Sequence, residues 1–135
     1  MDSSNIGPAD WSYLAELVGE RYFDYDGFVI VPGADTVEYT GAALSFMLQG
    51  LGKAVVLTGS IIPMCEVYND ARRNLIISVM FAAQLELSEV VIFFNSVLLR
   101  GNRAIKVVAT PTRPRYASSP PLHPLCTPRC TPPPG

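Results

Sequence analysis

Apolar and polar positions alternate between two rhythms along this chain. Residues Pro8 to about Tyr22 carry Trp11, Leu14, Ala15, Val18 and Tyr22 at helical spacing, with Pro8 suited to a first helical position and Asp10 to a first turn, so a helix with one apolar face is predicted. Gly27 then precedes four consecutive apolar residues, Phe28 to Val31, which stop at Pro32-Gly33. Such a short unbroken run reads as a strand covered on both faces, the habit of parallel sheets. From Thr36 to about Leu51 the positions Val37, Leu44, Met47, Leu48 and Leu51 return to helical spacing, and Gly50 or Gly52 supplies a stop. Ala54 to Leu57 reads as a second buried strand ending at Thr58-Gly59-Ser60. A third helix is expected from Ala71 to about Leu85, capped by Asn69 or Asp70, with Leu75, Ile76, Val79, Met80 and Ala83 on its buried face. Val90 to Phe94 is a third buried strand. Asn95-Ser96 reads as a tight turn into Val97 to Leu99, and Arg100 to Arg103 as a second turn before Lys106.

Strand, helix, strand, helix, strand with short links predicts an α/β fold: a doubly wound, mainly parallel sheet with flanking helices. In such sheets ligands bind outside the carboxyl ends of the strands. Here that crevice is predicted to gather Gly33 to Thr36, Thr58 to Ser60, and Asn95. Asp35 then sits between a strand end and the first turn of a helix, where it can meet a ligand or, with Thr36, simply cap the helix.

Composition changes the picture at one place. Nine of the twelve prolines fall between Pro111 and Pro134, a stretch with three arginines and no acidic residue. That composition predicts a disordered or polyproline-like tail over 110–135, and residues 1–109 as the α/β domain. The PxxP spacings there read as chance patterns. Over the 135 residues the apolar fraction of 49% is enough for a core, and a net charge of −2 gives no electrostatic case for nucleic acid or an anionic membrane. A small molecule or another protein is the expected partner. No run is long enough to span a bilayer and no secretory signal is recognisable, so a soluble, cytoplasmic protein is expected. Three cysteines give no disulfide framework.

The chemistry is narrowed by what is missing from the 135 residues. They contain no P-loop and no GxGxxG. The single histidine, His123, lies in the proline-rich stretch, where His123, Cys126 and Cys130 lack the surroundings that orient zinc ligands, and no metal is expected. Without a core histidine, nucleophilic chemistry would have to use Thr, Ser or Lys, with Lys106 as the available base or electrostatic partner. On its own Lys106 reads as a solvated surface lysine near a strand.

Taken in order, Asp2-Ser3-Ser4-Asn5-Ile6, Pro8-Ala-Asp-Trp11, Tyr25-Asp-Gly-Phe-Val-Ile30, Gly33-Ala-Asp-Thr36, Ala43-Leu-Ser-Phe-Met-Leu48, Leu57-Thr-Gly-Ser60, Phe93-Phe-Asn95, Arg100-Gly-Asn-Arg103 and Lys106 resemble type I, cytosolic-type L-asparaginases. The resemblance implies hydrolysis of L-asparagine to aspartate and ammonia through an acyl-enzyme on threonine, without metal or cofactor, by an enzyme that assembles as a homo-oligomer. It implies that Ser3 and Ser4 grip the α-carboxylate of the substrate, that Asp2 and Ala34 also line the substrate-binding site, that Asp35 receives the α-ammonium, and that Asp35 and Lys106 belong to a second catalytic triad. Two departures stand out. The family motif Thr-Gly-Gly-Thr, which carries the nucleophile, is not in these 135 residues, and the triad threonine is replaced by Ala34. The resemblance therefore implies a fragment related to an asparaginase, with little or no activity by itself, or alternatively a non-catalytic module that pairs with an intact asparaginase subunit.

Overall fold

A computed structural model describes residues 5–62, 64–108 and 115–118. The chain runs α1 (Pro8–Glu20), β1 (Phe28–Ile30), α2 (Val37–Met47), β2 (Val55–Leu57), α3 (Ala71–Gln84), β3 (Val90–Phe94), β4 (Val97–Arg100), a 3-10 turn (Gly101–Arg103), β5 (Ala104–Val108) and β6 (Arg115–Ser118). Strands β1, β2 and β3 pair in parallel and in that order, β4 adds antiparallel to β3, and β5 with β6 form a separate antiparallel ribbon. This is the mainly parallel α/β sheet with flanking helices that the periodicity predicts.

Alternation along the central strands builds two cores. Val55, Leu57, Val90 and Ile92 face α1 and α2, where Val18, Val37 and Leu44 cover them, while Ala54, Val56, Val91 and Phe93 face α3 through Ala82. Period-two side chains on a sheet with helices on both sides account for the unbroken apolar runs at 54–57 and 90–94. Phe81 and Phe93 meet edge to face, with ring centroids 5.3 Å apart.

The ends of the helices follow local chemistry. Pro8 opens α1, and the Asp10 carboxylate accepts the N–H of the preceding Gly7 at 2.9 Å. Trp11 ties α1 to α2 by donating its indole N–H to Thr40 Oγ1 at 3.1 Å. Helix α2 stops at Met47, short of the predicted Leu51, and its buried residues are Val37, Thr40, Gly41 and Leu44, so Met47 is left exposed. Gly41 sits close against its neighbours: a Cβ there would stand 2.7 Å from Ile92 Cδ1 and 3.3 Å from the Gly101 carbonyl. The Asn95-Ser96 turn is a two-residue hairpin with positive φ at both positions (48° and 67°), matching the Phe94 to Val97 register.

Three predictions are corrected. Strand β1 is half-buried along its length, because it lies at the edge of the sheet with β2 as its partner among the described residues. Helix α3 does not bury the predicted stripe. Asn74, Ser78 and Ala82 face the sheet, whereas Leu75, Ile76, Val79 and Met80 are exposed. Within the stretch read as disordered, residues 115–118 form β6 on the edge of β5, and the other residues of 110–135, His123, Cys126 and Cys130 among them, lie outside the described residues. No helix of the described residues is long and apolar enough to cross a membrane.

Candidate functional site

The first loop of interest leaves the carboxyl end of β1. Gly33 takes φ = 98°, a left-handed conformation that glycine adopts without a steric penalty. The turn it makes brings Ala34 and Asp35 back toward the second strand exit at Thr58-Gly59. The approach is so close that a Cβ on Gly59 would stand 3.2 Å from the Gly33 carbonyl carbon and 3.3 Å from the Ala34 nitrogen. Thr36 occupies the N-cap position of α2 without a side-chain capping bond, and its carbonyl accepts the N–H of Thr40 at 3.0 Å.

The second strand exit is held from beneath by polar groups. Thr58 Oγ1, fully enclosed, donates to the Phe93 carbonyl at 2.9 Å, joining the carboxyl ends of β2 and β3. Asn74, on the buried face of α3, donates from Nδ2 to the Gly59 carbonyl at 2.9 Å. The Asp70 carboxylate accepts the N–H groups of Ile61 and Ile62 at 3.1–3.3 Å. Asp70 was expected as a helix cap. It stands at the N-cap of α3, but its carboxylate serves the loop, and the Asn69 side chain accepts the Arg72 N–H at 3.2 Å. These contacts fix Gly59, and through it the position of the Gly33 to Asp35 turn.

Lys106 closes the arrangement from β5. Its Nζ donates to the Ala34 carbonyl at 2.9 Å and lies 3.5 Å from Asp35 Oδ1. The lysine side chain is 16% exposed and that of Asp35 is 64% exposed. The ammonium is therefore anchored in the protein, while the carboxylate beside it faces outward. An exposed carboxylate held by an adjacent cation can accept an ammonium from a ligand through a charge-assisted hydrogen bond. Position 34 offers only a methyl group, so it supplies no hydroxyl to carry a proton between Lys106 and an incoming group.

Of the residues singled out from sequence, the structure brings Ala34, Asp35 and Lys106 together. Asp2, Ser3 and Ser4 lie outside the described residues. Asn95 sits in the β3–β4 hairpin turn. Thr58, Asp70 and Asn74 were not recognised as supports of the site. The available signal was an asparagine at the fourth residue of a helix whose inward positions are otherwise small, which is unusual unless the amide has a buried partner.

Comparison with known proteins gives this geometry its family. The profile of the family described as "Asparaginase, N-terminal" matches residues 1–127. The chain belongs to this asparaginase family. It is 50% identical to L-asparaginase 1 of Escherichia coli K12 over 109 residues, covering 81% of this chain and 32% of that protein. It is 42% identical to the human 60 kDa lysophospholipase over 128 residues, covering 93% of this chain and 22% of that one. The crystal structure of L-asparaginase I from Vibrio cholerae superposes with a TM-score of 0.82 at 45% identity, covering 87% of this chain and 35% of that chain. The 135 residues thus span about a third or less of the length of these relatives.

Proposed function

We propose that this asparaginase-family chain forms the amino-acid-binding half of an L-asparaginase site. Asp35 receives the α-ammonium of L-asparagine, Ser3 and Ser4 bind its α-carboxylate, with Asp2 beside them, and Lys106 holds the Ala34–Asp35 turn in the geometry that this requires. The reaction served is hydrolysis of the side-chain amide to L-aspartate and ammonia, in the cytoplasm. The observation that carries the reading is the convergence of Lys106 on Ala34, 72 positions away in sequence, and on the adjacent Asp35. A carboxylate that is mostly exposed yet positioned by a sheltered ammonium is an arrangement suited to a ligand.

Catalysis is a separate matter from binding. The 135 residues contain no Thr-Gly-Gly-Thr, and Ala34 stands where the triad hydroxyl is expected. Single acid–base or oxyanion contributions are worth about a hundredfold to ten-thousandfold in rate, so the loss of two functional groups leaves these residues alone with little or no turnover.

Calorimetric titration with L-asparagine and L-aspartate, run beside an ammonia-release assay, tests both statements. Binding is expected, weakened about tenfold or more by Asp35→Asn because a charge-assisted bond is lost. Ammonia release is expected to stay at background. Binding unaffected by Asp35→Asn would overturn the assignment of Asp35. Turnover at ordinary enzyme rates, abolished by Lys106→Ala, would overturn the inactivity. Lysophosphatidylcholine, the substrate class that the name of the human relative suggests, is expected to be left intact in a parallel incubation.

A second reading, a non-catalytic module that pairs with an intact asparaginase subunit, is supported by the edge position of β1, whose outer backbone groups can pair with another strand. Co-purification with such a subunit, lost when Val29→Pro removes an edge donor, tests it.

A further inference from the structure

Asp70 opens α3 without capping it, since its side chain makes no capping bond to the helix. Its two carboxylate oxygens are occupied elsewhere. Oδ1 accepts the N–H of Ile62 at 3.1 Å and shares that of Ile61 with Oδ2, at 3.3 and 3.2 Å, and Oδ2 also accepts from Asn74 Nδ2 at 3.4 Å. Asn74 Nδ2 in turn donates to the Gly59 carbonyl at 2.9 Å. An amide nitrogen carries two hydrogens, and here both meet oxygens that can only accept.

The orientation of the Asn74 amide is therefore dictated by the acceptors around it. An ionised carboxylate at 70 accepts on every side and takes the nitrogen of Asn74, never its oxygen. A neutral amide of the same shape at 70 cannot do both tasks. With its oxygen toward Ile61 and Ile62, its own NH2 opposes the NH2 of Asn74; with its ends exchanged, it opposes the two backbone N–H groups. Turning Asn74 over to relieve the first conflict sets its oxygen against the Gly59 carbonyl. Each arrangement leaves a polar group unmatched in a place where Asn74 is buried and the others are half-buried.

Gly59 is where this bears on the site. Thr58, just before it, donates its N–H to the Ile30 carbonyl at 3.0 Å, which joins the exits of β2 and β1. A Cβ on Gly59 would meet the Gly33 carbonyl carbon and the Ala34 nitrogen at 3.2 and 3.3 Å. Packing this close does not compress, so a displacement of the Gly59 backbone is passed to the turn that carries Asp35.

We propose that Asp70 is a positioning residue of the amino-acid site: its charge fixes the Asn74 amide, Asn74 fixes Gly59, and Gly59 sets where the Asp35 carboxylate stands for a ligand ammonium. The proposal rests on the reading of Asp35 as the ammonium-binding group. A plain helix cap at 70 predicts a different outcome, because asparagine caps a helix as well as aspartate does.

Titration of the full chain with L-asparagine, beside NMR of the ligand-free protein, is the test. Asp70→Asn is expected to raise the dissociation constant about tenfold, the equivalent of one hydrogen bond with an ionised partner, with circular dichroism unchanged. The amide resonances of Gly59, Ala34 and the Asn74 side chain should move. Val91→Ala is the control for stability: it opens a cavity on the α3 side of the sheet and is expected to lower the urea midpoint while leaving the dissociation constant as it was. Unaltered affinity in Asp70→Asn, or equal weakening by Val91→Ala, would overturn the proposal. Should the parent chain bind no L-asparagine, the reading of Asp35 fails and Asp70 is judged on the resonances alone. Movement at Gly59 and Ala34 then supports its positioning role, and movement confined to residues 61, 62 and 70 overturns it.

Discussion

Lys106 donates to the backbone carbonyl of Ala34 at 2.9 Å and stands 3.5 Å from Asp35 Oδ1, so one ammonium fixes both the turn and the side chain that follows it. The two contacts differ in kind. The first is sheltered and positions backbone; the second reaches a carboxylate that is mostly in solvent, where an ion pair alone contributes little stability.

Removing the ammonium should therefore cost stability as well as binding. Lys106→Met keeps the aliphatic stem and deletes the donor, and a loss of about 1.5–3 kcal/mol is expected, the range for a hydrogen bond made by a charged group. Asp35→Asn is expected to cost less than Lys106→Met while weakening ligand binding more. Urea unfolding beside calorimetric titration separates the two effects.

Glycine at 59 is a second point of control. A Cβ added there meets the backbone of Gly33 and Ala34 at 3.2 and 3.3 Å, so Gly59→Ala should push the turn away from Lys106 at a cost of about 1–3 kcal/mol. Gly19→Ala, in a helix and with nothing within 4 Å of the new Cβ, is the matched control and should stabilise by up to about 1 kcal/mol. Thermal unfolding of the two variants checks the difference in sign.

Asn74 is buried and donates to the Gly59 carbonyl. Asn74→Leu should leave that carbonyl without its partner and cost about 1–3 kcal/mol, with ligand binding reduced in parallel because the strand exit loosens. Chemical denaturation and titration of the same variant measure both.

Ser78 is the converse case. Its hydroxyl is buried on the sheet-facing side of α3 with no hydrogen-bond partner among the described residues. Ser78→Ala removes an uncompensated polar atom, introduces no new volume and improves helix propensity, so a gain of about 1 kcal/mol is expected in urea unfolding.

The contrast between Asn74 and Ser78 explains what was legible in the sequence. The elements and their order follow from apolar runs and helical spacing, and the unbroken runs at Val90–Phe94 and Val55–Leu57 are the doubly covered strands they read as. The orientation of α3 does not follow, because the stripe through Ile76, Val79 and Met80 is more apolar than the stripe that packs. The packed stripe wins for reasons outside hydropathy: Asn74 has a carbonyl to satisfy, and Ser78 and Ala82 are small enough to let the helix approach the sheet. Residues 115–118 were hidden in a similar way, because averaging over a proline-rich stretch masks the proline-free run Arg115 to Ser119, four residues of which pair with β5. The meeting of Asp35 and Lys106 was accessible only through family resemblance, since no local periodicity links positions about 70 residues apart.

Gly101 has a wider reach than its place in a short turn suggests. A Cβ there would stand 2.8 Å from Ser45 Oγ and 2.9 Å from the Gly41 carbonyl, so α2 and the segment leading into β5 touch backbone to backbone. Lys106 belongs to the ribbon and Asp35 to the loop before α2, which makes that pair of glycines the fulcrum between the two arms of the site. Bulk introduced at the fulcrum would be felt at the far tips of both arms, and the separation of ammonium and carboxylate is therefore tuned from a spot that neither group touches.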